Sequence, residues 1–428
     1  MFSITKSQPQ SASPSRAQKT IWAVVAILVA FILGPGFVDS LKPKPSEGRD
    51  FFQEWSSARN WREGQPIYME LQDAAERYLG RPRVAGERLM FARNAHPPPA
   101  VLLALPFAWL TYPNGMLAWN VLSLAALAFA ITVIARDEHL VLRPWMVFPA
   151  IVAALLCSPF RQQVLQGQLN LYLLAMLTAA WAAERGGRVV LAGSLVGIAA
   201  AVKLFPGFVI LYYLITRRFA SAIAAIAGAG LTTMLALVVL GPQAFRDYVH
   251  EVMPMVGTFT NIWANASLAG FWTKWFNAGV TNTVIPPGPQ HIPPIAFLPA
   301  LASAGLVISA IATLAIWAHK VRRLPLNLRF GITLVAMLLL SPITWDHYFL
   351  LLALPMVHVW RVFPDDSLQR IGLILVVIAM MLSPVMFVQA FAGGGTLLAL
   401  LGASIHLFAL VGLFLLMLLL PTATEARA

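Results

Sequence analysis

The chain has 428 residues, of which 59% are hydrophobic and only 11% are charged, and its mean hydropathy is +0.73. This composition excludes a soluble globular domain and indicates an all-α, polytopic membrane protein. The net charge of +12 would suggest nucleic acid as the partner of a soluble protein. Here most lysines and arginines lie in short links between apolar runs, as the positive-inside rule predicts, so we expect no nucleic-acid binding.

The first outer loop is the most acidic part of the chain. Residues 1–19 form a basic tail that we expect in the cytoplasm, and the apolar run 21–38 then leads residues 41–96 to the outer side. This loop holds eight of the 18 acidic residues and several aromatic anchors, which predicts short amphipathic helices on the bilayer surface. We expect the segment after Asp50 to cover the outer mouth of a cavity. The side chains expected to cover it are Phe51, Trp55 and Tyr68.

Continuous apolar runs predict about 12 transmembrane helices with both termini in the cytoplasm. Residues 20–420 are therefore expected to form a single transmembrane domain, with a second outer loop at 241–295 and a cytoplasmic tail at 421–428. The predicted spans lie near residues 21–38, 115–135, 144–159, 168–183, 189–203, 205–216, 219–240, 296–318, 326–341, 346–360, 371–390 and 397–420.

The run at residues 97–110 is expected not to cross the bilayer. It starts on the outer side, and only one crossing is allowed before the basic link at 136–143. Its length of about 21 Å as a helix is also shorter than a hydrocarbon core of about 30 Å. We interpret it as a re-entrant or interfacial helix.

Asp50, at the outer end of the first span, is a candidate general base. A carboxylate there could take a proton from a hydroxyl group as that group attacks. The alternative is a surface carboxylate paired with Arg49 or Arg59, and the local sequence does not exclude it.

The segment SPITWDHYFLLLALP, residues 341–355, places Asp346 and His347 at the outer end of a span. Ionisable groups at membrane depth are costly and are usually functional. The alternative is an interfacial aromatic belt with an aspartate that caps a helix.

Two further outer segments carry polar side chains within apolar sequence. Lys203 could bind the phosphate of a lipid-linked substrate, or it could simply extend to the membrane surface. The segment RQQVLQGQLNLYLL supplies Arg161, Gln166, Gln168 and Asn170, and its amide side chains suit either sugar hydroxyls or helix capping. No nucleotide-binding glycine loop, HExxH motif or Cys/His metal spacing occurs in the sequence, so we expect neither a cofactor nor a metal site.

Several motifs in order resemble glycosyltransferase family 87, the polyprenol-phosphate-mannose-dependent mannosyltransferases of the GT-C superfamily. An Asp-led outer loop ending in REGQPIY is followed by HPPPAVLLALPFAWL, QGQLNLYLL, GSLVGIAAAVKLFPGF, NASLAGF and SPITWDHYFLLLALP. The resemblance implies a GT-C-like helical bundle and an inverting transferase. Asp50 matches the catalytic aspartate, His347 the outer-face histidine, and Lys203 the basic residue of the K-x-x-P stretch. The sequence departs from the family after NASL, where Lys274 comes later than the expected basic residue.

The resemblance also implies partners and a location. The expected partners are a polyprenyl-phosphate sugar, a lipid or glycan acceptor and membrane lipids, and the active site would face the periplasm from the inner membrane. Arg161 would join Lys203 at the donor phosphate. The residues expected to bind substrate are Tyr68, His96, Gln168, Asn170, Asn265 and Asp346.

Two other functions remain open at this point. A flippase or transporter of polyprenol-linked lipids would share the spans and the buried lysine. Transporters usually contain inverted repeats, and none is visible here. A non-catalytic assembly subunit would leave Asp50 without a role.

Overall fold

A computed structural model describes residues 14–82, 92–285 and 288–422 of the chain. The described residues are mostly helical, as the composition predicts. The first eight helices are α1 (Arg16–Leu41), α2 (Phe51–Arg62), α3 (Leu71–Leu79), α4 (Pro98–Ala104), α5 (Tyr112–Asp137), α6 (Val147–Leu156), α7 (Ser158–Gln166) and α8 (Asn170–Arg185). The next six are α9 (Val189–Val202), α10 (Phe208–Ile215), α11 (Phe219–Leu240), α12 (Pro242–Asp247), α13 (Met253–Gly257) and α14 (Leu268–Phe276).

The C-terminal part is also helical, but a short antiparallel hairpin precedes it. Strands β1 (Val280–Ile285) and β2 (Gly288–Ile292) pair with Val280 opposite Ile292, and the tip of the turn lies outside the described residues. This hairpin departs from the all-α prediction, and its β-branched sequence VTNTVI favours a strand. The remaining helices are α15 (Pro299–Arg323), α16 (Leu326–Leu340), α17 (Ala353–Val362), α18 (Leu368–Met381), α19 (Pro384–Ala392), α20 (Thr396–Gly402) and α21 (Ile405–Leu418).

The protein is a multi-pass membrane protein, but the predicted count of 12 spans is not confirmed. Among the described residues, five helical segments are long and apolar enough to cross a bilayer, or seven if two bent pairs each count as one span. The bends measure 69° between α6 and α7 and 87° between α18 and α19. Other predicted spans form shorter apolar helices, among them α9, α10 and α16. Prolines and turns interrupt several of the predicted runs, so the number of crossings stays a prediction.

Small residues bring α9 and α11 into close contact. Gly193 and Gly197 lie four positions apart on α9, the spacing at which transmembrane helices approach closely. A Cβ atom added at Gly197 would lie 2.0 Å from the Ala225 carbonyl oxygen, and one at Gly193 would lie 2.2 Å from the Ser221 carbonyl oxygen. The backbones of the two helices are therefore in contact, which fixes the position of α9 and of Lys203 at its end.

We expect Gly197→Ala to reduce the stability of the folded protein by about 1–3 kcal/mol or more, because the helices must separate. Thermal unfolding of the purified protein in detergent would measure this loss. Gly230→Ala is the matched control on α11, since its Cβ would meet nothing within 4 Å. That variant should be neutral or slightly stabilised. Equal melting temperatures for the two variants would contradict this packing.

The segment 97–110 forms α4 and a short 3-10 helix, Leu105–Trp109, which packs against α2 of the outer loop. The placement of this segment on the outer side stays a prediction. The exposed Asn114 lies just beyond it and provides the test. We expect Asn114→Cys, in a Cys157→Ala background, to react with a membrane-impermeant thiol reagent from outside. Labelling only from the cytoplasm would show that 97–110 crosses the membrane.

The start of the outer loop is folded into the protein core. Phe51, Trp55 and Tyr68 are at most 3% exposed, and the Trp55 indole donates to the Phe107 carbonyl oxygen at 3.2 Å. Phe51 stacks on Trp119 of α5 with ring centroids 4.9 Å apart. These three rings are therefore packed into the protein core, and their position over the mouth of a cavity stays a prediction.

Candidate active site

Asp50 immediately precedes α2 and is held by the loop between α7 and α8. Its backbone N–H donates to the Gln166 side-chain oxygen at 3.3 Å, and Gln168 Nε2 donates to Asp50 Oδ2 at 2.6 Å. The two neighbouring arginines are engaged elsewhere, Arg49 with Glu47 at 3.0 Å and Arg59 with Glu63 at 2.7 Å. The alternative that Asp50 is a surface carboxylate paired with either arginine is therefore not what the structure shows.

Gly167 explains why the loop can approach Asp50 so closely. Its φ of +66° is in the left-handed region that favours glycine, and an added Cβ would lie 2.7 Å from Phe51 Cβ. The Gly167 carbonyl oxygen accepts a hydrogen bond from the Trp119 indole at 2.8 Å. A tight turn and one aromatic hydrogen bond thus position Gln168 on the carboxylate.

Gln163, on α7, connects the two polar residues that follow the turn. Its side-chain Nε2 donates to the Gln168 carbonyl oxygen, and its Oε1 accepts from Asn170 Nδ2 at 3.0 Å. Gln163 and Asn170 are fully buried. Buried amides that are hydrogen-bonded to one another hold a fixed geometry. Gln163 therefore links Gln168, which binds Asp50, to Asn170, which contacts Lys203.

Glu54 lies one helical turn after Asp50 and was missed by sequence reasoning. It is 3% exposed, and its Oε1 pairs with His96 Nδ1. Residues four apart on a helix share one face, so α2 presents two carboxylates to the same region. That spacing was the available signal, but exposed acidic residues elsewhere in the loop obscured it.

Lys203 lies where α9 is broken. Pro206 lacks an N–H group, and its ring would clash with the carbonyl four residues earlier, so the helix ends at Val202 and Lys203 is extended. The Lys203 ammonium group is buried 4.1 Å from the centroid of the Tyr348 ring and 3.5 Å from Asn170 Oδ1. It also lies within electrostatic range of Glu54 and Asp50.

His347 and Asp346 form a local pair at the start of a 3-10 helix, Asp346–Leu352. Asp346 Oδ1 accepts from the His347 backbone N–H at 2.8 Å and lies 3.3 Å from His347 Nδ1. The other ring nitrogen, Nε2, is buried and has no hydrogen-bond partner within the described residues. His347 also lies within electrostatic range of Asp50. The pair thus leaves one imidazole nitrogen available to a ligand.

The remaining predicted residues lie in different settings. The Tyr68 hydroxyl donates to the His96 carbonyl oxygen at 2.8 Å. Tyr68 therefore holds His96, the residue that pairs with Glu54. Asn265 donates to the Thr260 and Pro342 carbonyl oxygens at 2.8 and 3.0 Å and accepts two backbone N–H groups. With those groups engaged, Asn265 connects the loop before α14 to the loop after α16. Arg161 is exposed on α7, and its role at the donor phosphate stays a prediction.

The structure thus brings several of the predicted residues together around the carboxylates of Asp50 and Glu54. Asp50, Gln168, Asn170, Lys203 and His347 converge from the outer loop, the α7–α8 turn, the end of α9 and the segment after α16. In the parts of the chain that the structure describes, no group of three or more His, Cys, Asp or Glu side chains is arranged to hold a metal ion. The arrangement can accept a proton at a carboxylate and place a cation and an imidazole near an anion.

Comparisons with known proteins point to one family. The profile of glycosyltransferase family 87 matches residues 94–342. One similar protein is a polyprenol-phosphate-mannose-dependent α-(1-2)-phosphatidylinositol pentamannoside mannosyltransferase of Mycobacterium tuberculosis, 29% identical over 59% of this chain and 55% of the relative. Another from the same species is a polyprenol-phosphate-mannose-dependent α-(1-2)-phosphatidylinositol mannoside mannosyltransferase, 26% identical over 46% of each chain. The chain spans about half the length of these relatives.

Two solved structures are similar at low identity. Both are ArnT from Cupriavidus metallidurans, one in the apo state and one bound to undecaprenyl phosphate. They share 14% and 15% identity with this chain, cover 94% and 95% of it and 77% of their own length, and each has a TM-score of 0.34. The family match extends over more than half of the chain. The protein therefore belongs to glycosyltransferase family 87.

Proposed function

We propose that this protein transfers mannose from a polyprenyl-phosphate donor to a lipid or glycan acceptor at the outer face of the inner membrane. Membership of family 87 and the donor named for both mycobacterial relatives support the reaction class and the sugar. The observation that carries the proposal is the Asp50 carboxylate, bound by Gln168 and grouped with Lys203 and His347.

Asp50 is the general base in this mechanism. It removes the proton of an acceptor hydroxyl, whose oxygen attacks C1 of the sugar from the face opposite the phosphate. The bond from C1 to the phosphate oxygen breaks, polyprenyl phosphate leaves with the electron pair, and the anomeric configuration inverts. Glu54 is less suited to this role, because it is 3% exposed and already paired with His96.

Lys203 and His347 act on the leaving group. A cation and a hydrogen-bond donor placed where negative charge develops lower the barrier to its departure. The buried ammonium and the unpartnered Nε2 are the groups available for this role. Asp346 Oδ1 lies on the Nδ1 side of the imidazole, so the ring donates to the phosphate through Nε2–H in its doubly protonated form, and Asn170 positions Lys203.

The direct test offers membranes containing the protein labelled polyprenyl-phosphate mannose and analyses the products. We expect label in a lipid or glycan product whose new anomeric bond is inverted relative to the donor. Label that moves across the membrane while the donor stays chemically intact would instead indicate a transporter.

The pH dependence of transfer tests the role of Asp50 and Gln168. Burial raises the pKa of Asp50 above its ordinary value of 3.8, and the charge of His347 and the hydrogen bond from Gln168 lower it in part. Because the base must be ionised, the rate should fall as the pH drops through this raised pKa. Gln168→Leu removes a hydrogen bond to the ionised form, so its acidic limb should lie at higher pH than that of the wild type. An unchanged limb in the kcat/KM profile would contradict this assignment.

A further inference from the structure

A basic pocket lies at the opposite end of α9 from Lys203. It is a cavity of about 580 Å³ lined by Arg185, Arg217, Arg218, Arg329 and one acidic residue, Glu184. The 14 residues of α9 separate it from Lys203 by about 21 Å, so it is distinct from the candidate active site. The basic links around it place it on the cytoplasmic side by the positive-inside rule.

Two helices begin at this pocket. Val189 is the first residue of α9 and Phe219 the first of α11, and both line the cavity. The first N–H groups of a helix lack intrahelical acceptors and carry partial positive charge, so they favour an anion. α9 and α11 thus direct two such ends at one cavity.

Ser221 provides independent evidence for a missing ligand. It lies in the first turn of α11, lines the pocket and is fully buried. Its hydroxyl oxygen has no hydrogen-bond partner within the described residues. Buried hydroxyl groups are nearly always hydrogen-bonded, so an unpartnered one in a cavity lined by arginines indicates a polar ligand.

The arginines are not all engaged in the same way. Arg218 pairs with Glu184 at 2.6 Å, Arg185 pairs with Glu138 at 2.7 Å, and Arg329 donates to the Leu324 carbonyl oxygen at 2.7 Å. Arg217 is exposed at the rim, in a left-handed conformation with φ of 59°. It is the arginine best placed to bind a ligand without breaking an existing contact.

The surroundings of the pocket are those of a membrane surface. α11 is long and apolar enough to cross the bilayer, so its first residue lies at one membrane boundary. Phe219, which lines the pocket, is 58% exposed, and next to it Val190 is 63% and Ile223 67% exposed. An acyl chain could therefore lie along these side chains while its head group occupies the cavity.

We propose that this pocket binds the phosphate group of an anionic phospholipid from the cytoplasmic leaflet. The Arg217 guanidinium and the N–H groups at the start of α11 bind the phosphate oxygens, and the Ser221 hydroxyl donates to one of them. The Val189 N–H at the start of α9 already donates to the Gly187 carbonyl oxygen at 3.0 Å, so α9 contributes through its partial positive charge. The fatty acyl chains lie on the exposed apolar side chains of the same helix turns. This assignment does not depend on the proposed transferase activity.

The test measures lipid binding to the purified, delipidated full-length protein. Short-chain phosphatidylglycerol, the matching phosphatidylcholine and inorganic phosphate are titrated separately, with native mass spectrometry and the melting temperature as readouts. We expect phosphatidylglycerol to bind and raise the melting temperature, with much weaker effects from the other two. The variants are Arg217→Asn, since asparagine tolerates a left-handed backbone, and Ser221→Ala. Arg323→Gln, an exposed arginine outside the pocket, is the control.

Each outcome decides the proposal. Arg217→Asn should weaken phosphatidylglycerol binding by about tenfold or more, and Ser221→Ala by about two- to tenfold, while Arg323→Gln binds like the wild type. Equal binding of phosphatidylcholine, or equal weakening by the control, would overturn the site. Inorganic phosphate binding as tightly as the lipid would overturn the assignment of a phospholipid. Because the melting temperature without lipid is recorded for every variant, a folding defect is distinguished from lost binding.

Discussion

Replacing Asp50 by asparagine is expected to lower the turnover of mannosyl transfer by about 10²–10⁴-fold at equal protein level. Asparagine keeps the shape of the side chain, and its amide oxygen can still accept the hydrogen bond from Gln168, so the local structure should persist. The amide cannot take up the proton that the attacking hydroxyl group of the acceptor substrate must lose. The affinity for the donor should stay nearly intact, since the proton transfer to Asp50 takes place only in the transition state. The measurement is kcat with labelled polyprenyl-phosphate mannose, together with donor affinity.

Asp39→Asn is the matched control for this experiment. It makes the same chemical change at an exposed carboxylate near the outer end of α1, 11 positions before Asp50. We expect it to leave kcat within about twofold of the wild type, because surface substitutions rarely affect the folded structure. Near-normal transfer by Asp50→Asn would reject Asp50 as the base and reopen the transporter reading. A large loss of kcat in both variants would show that the negative charge of this region matters and not a specific role of Asp50.

The sequence could identify Asp50 as a candidate, but not its partner. Gln168 lies 118 positions away, and the contact depends on the left-handed Gly167 and its close approach to Phe51. Such a long-range pairing is set by tertiary packing and is not encoded in any local pattern. For the same reason, only the structure shows that His347 Nε2 has no hydrogen-bond partner among the residues it describes.

Local sequence patterns predicted the existence of the membrane helices better than they predicted where each helix begins, bends and ends. The runs at α1, α5, α11 and α15 are long, apolar and unbroken, and all four were predicted. The bends within apolar runs, as at Cys157 between α6 and α7, were not predicted. Hydropathy measures transfer to lipid and carries no information about direction, so it cannot separate one straight span from two angled helices.

Glu54 and Asn265 show the limits of reasoning about sites. Glu54 was one of eight acidic residues in a single loop, and only its buried pairing with His96 distinguishes it. Asn265 lies in a recognised motif, yet its amide group is engaged by the backbone at Thr260, Pro342 and Thr344. A motif position can therefore reflect structural support for the site, and its role in substrate binding stays a prediction.

Lys203→Met is expected to raise the donor KM by about 10–150-fold and to lower kcat, with little loss of folded protein. The change removes one charge-assisted contact to the phosphate, worth about 1.5–3 kcal/mol, and keeps the apolar stem. Lys203 makes few protein contacts to lose: its polar contact is to Asn170 at 3.5 Å, and its ammonium lies over the Tyr348 ring. A buried charge with so little compensation is costly to the folded state, which supports the proposed role of Lys203 in donor binding.

Lys274 provides the comparison that separates function from structure. It is 1% exposed, and its ammonium donates to the carbonyl oxygens of Trp263, Asn265 and Ala403 at 2.8–3.1 Å. Lys274→Met would leave these buried acceptors without a donor, so it should lower the melting temperature and the yield of folded protein. The folded fraction should keep a donor KM close to that of the wild type. If Lys203→Met instead reproduced this pattern, lost stability with an unchanged donor KM, Lys203 would be a structural lysine and the phosphate would be bound elsewhere.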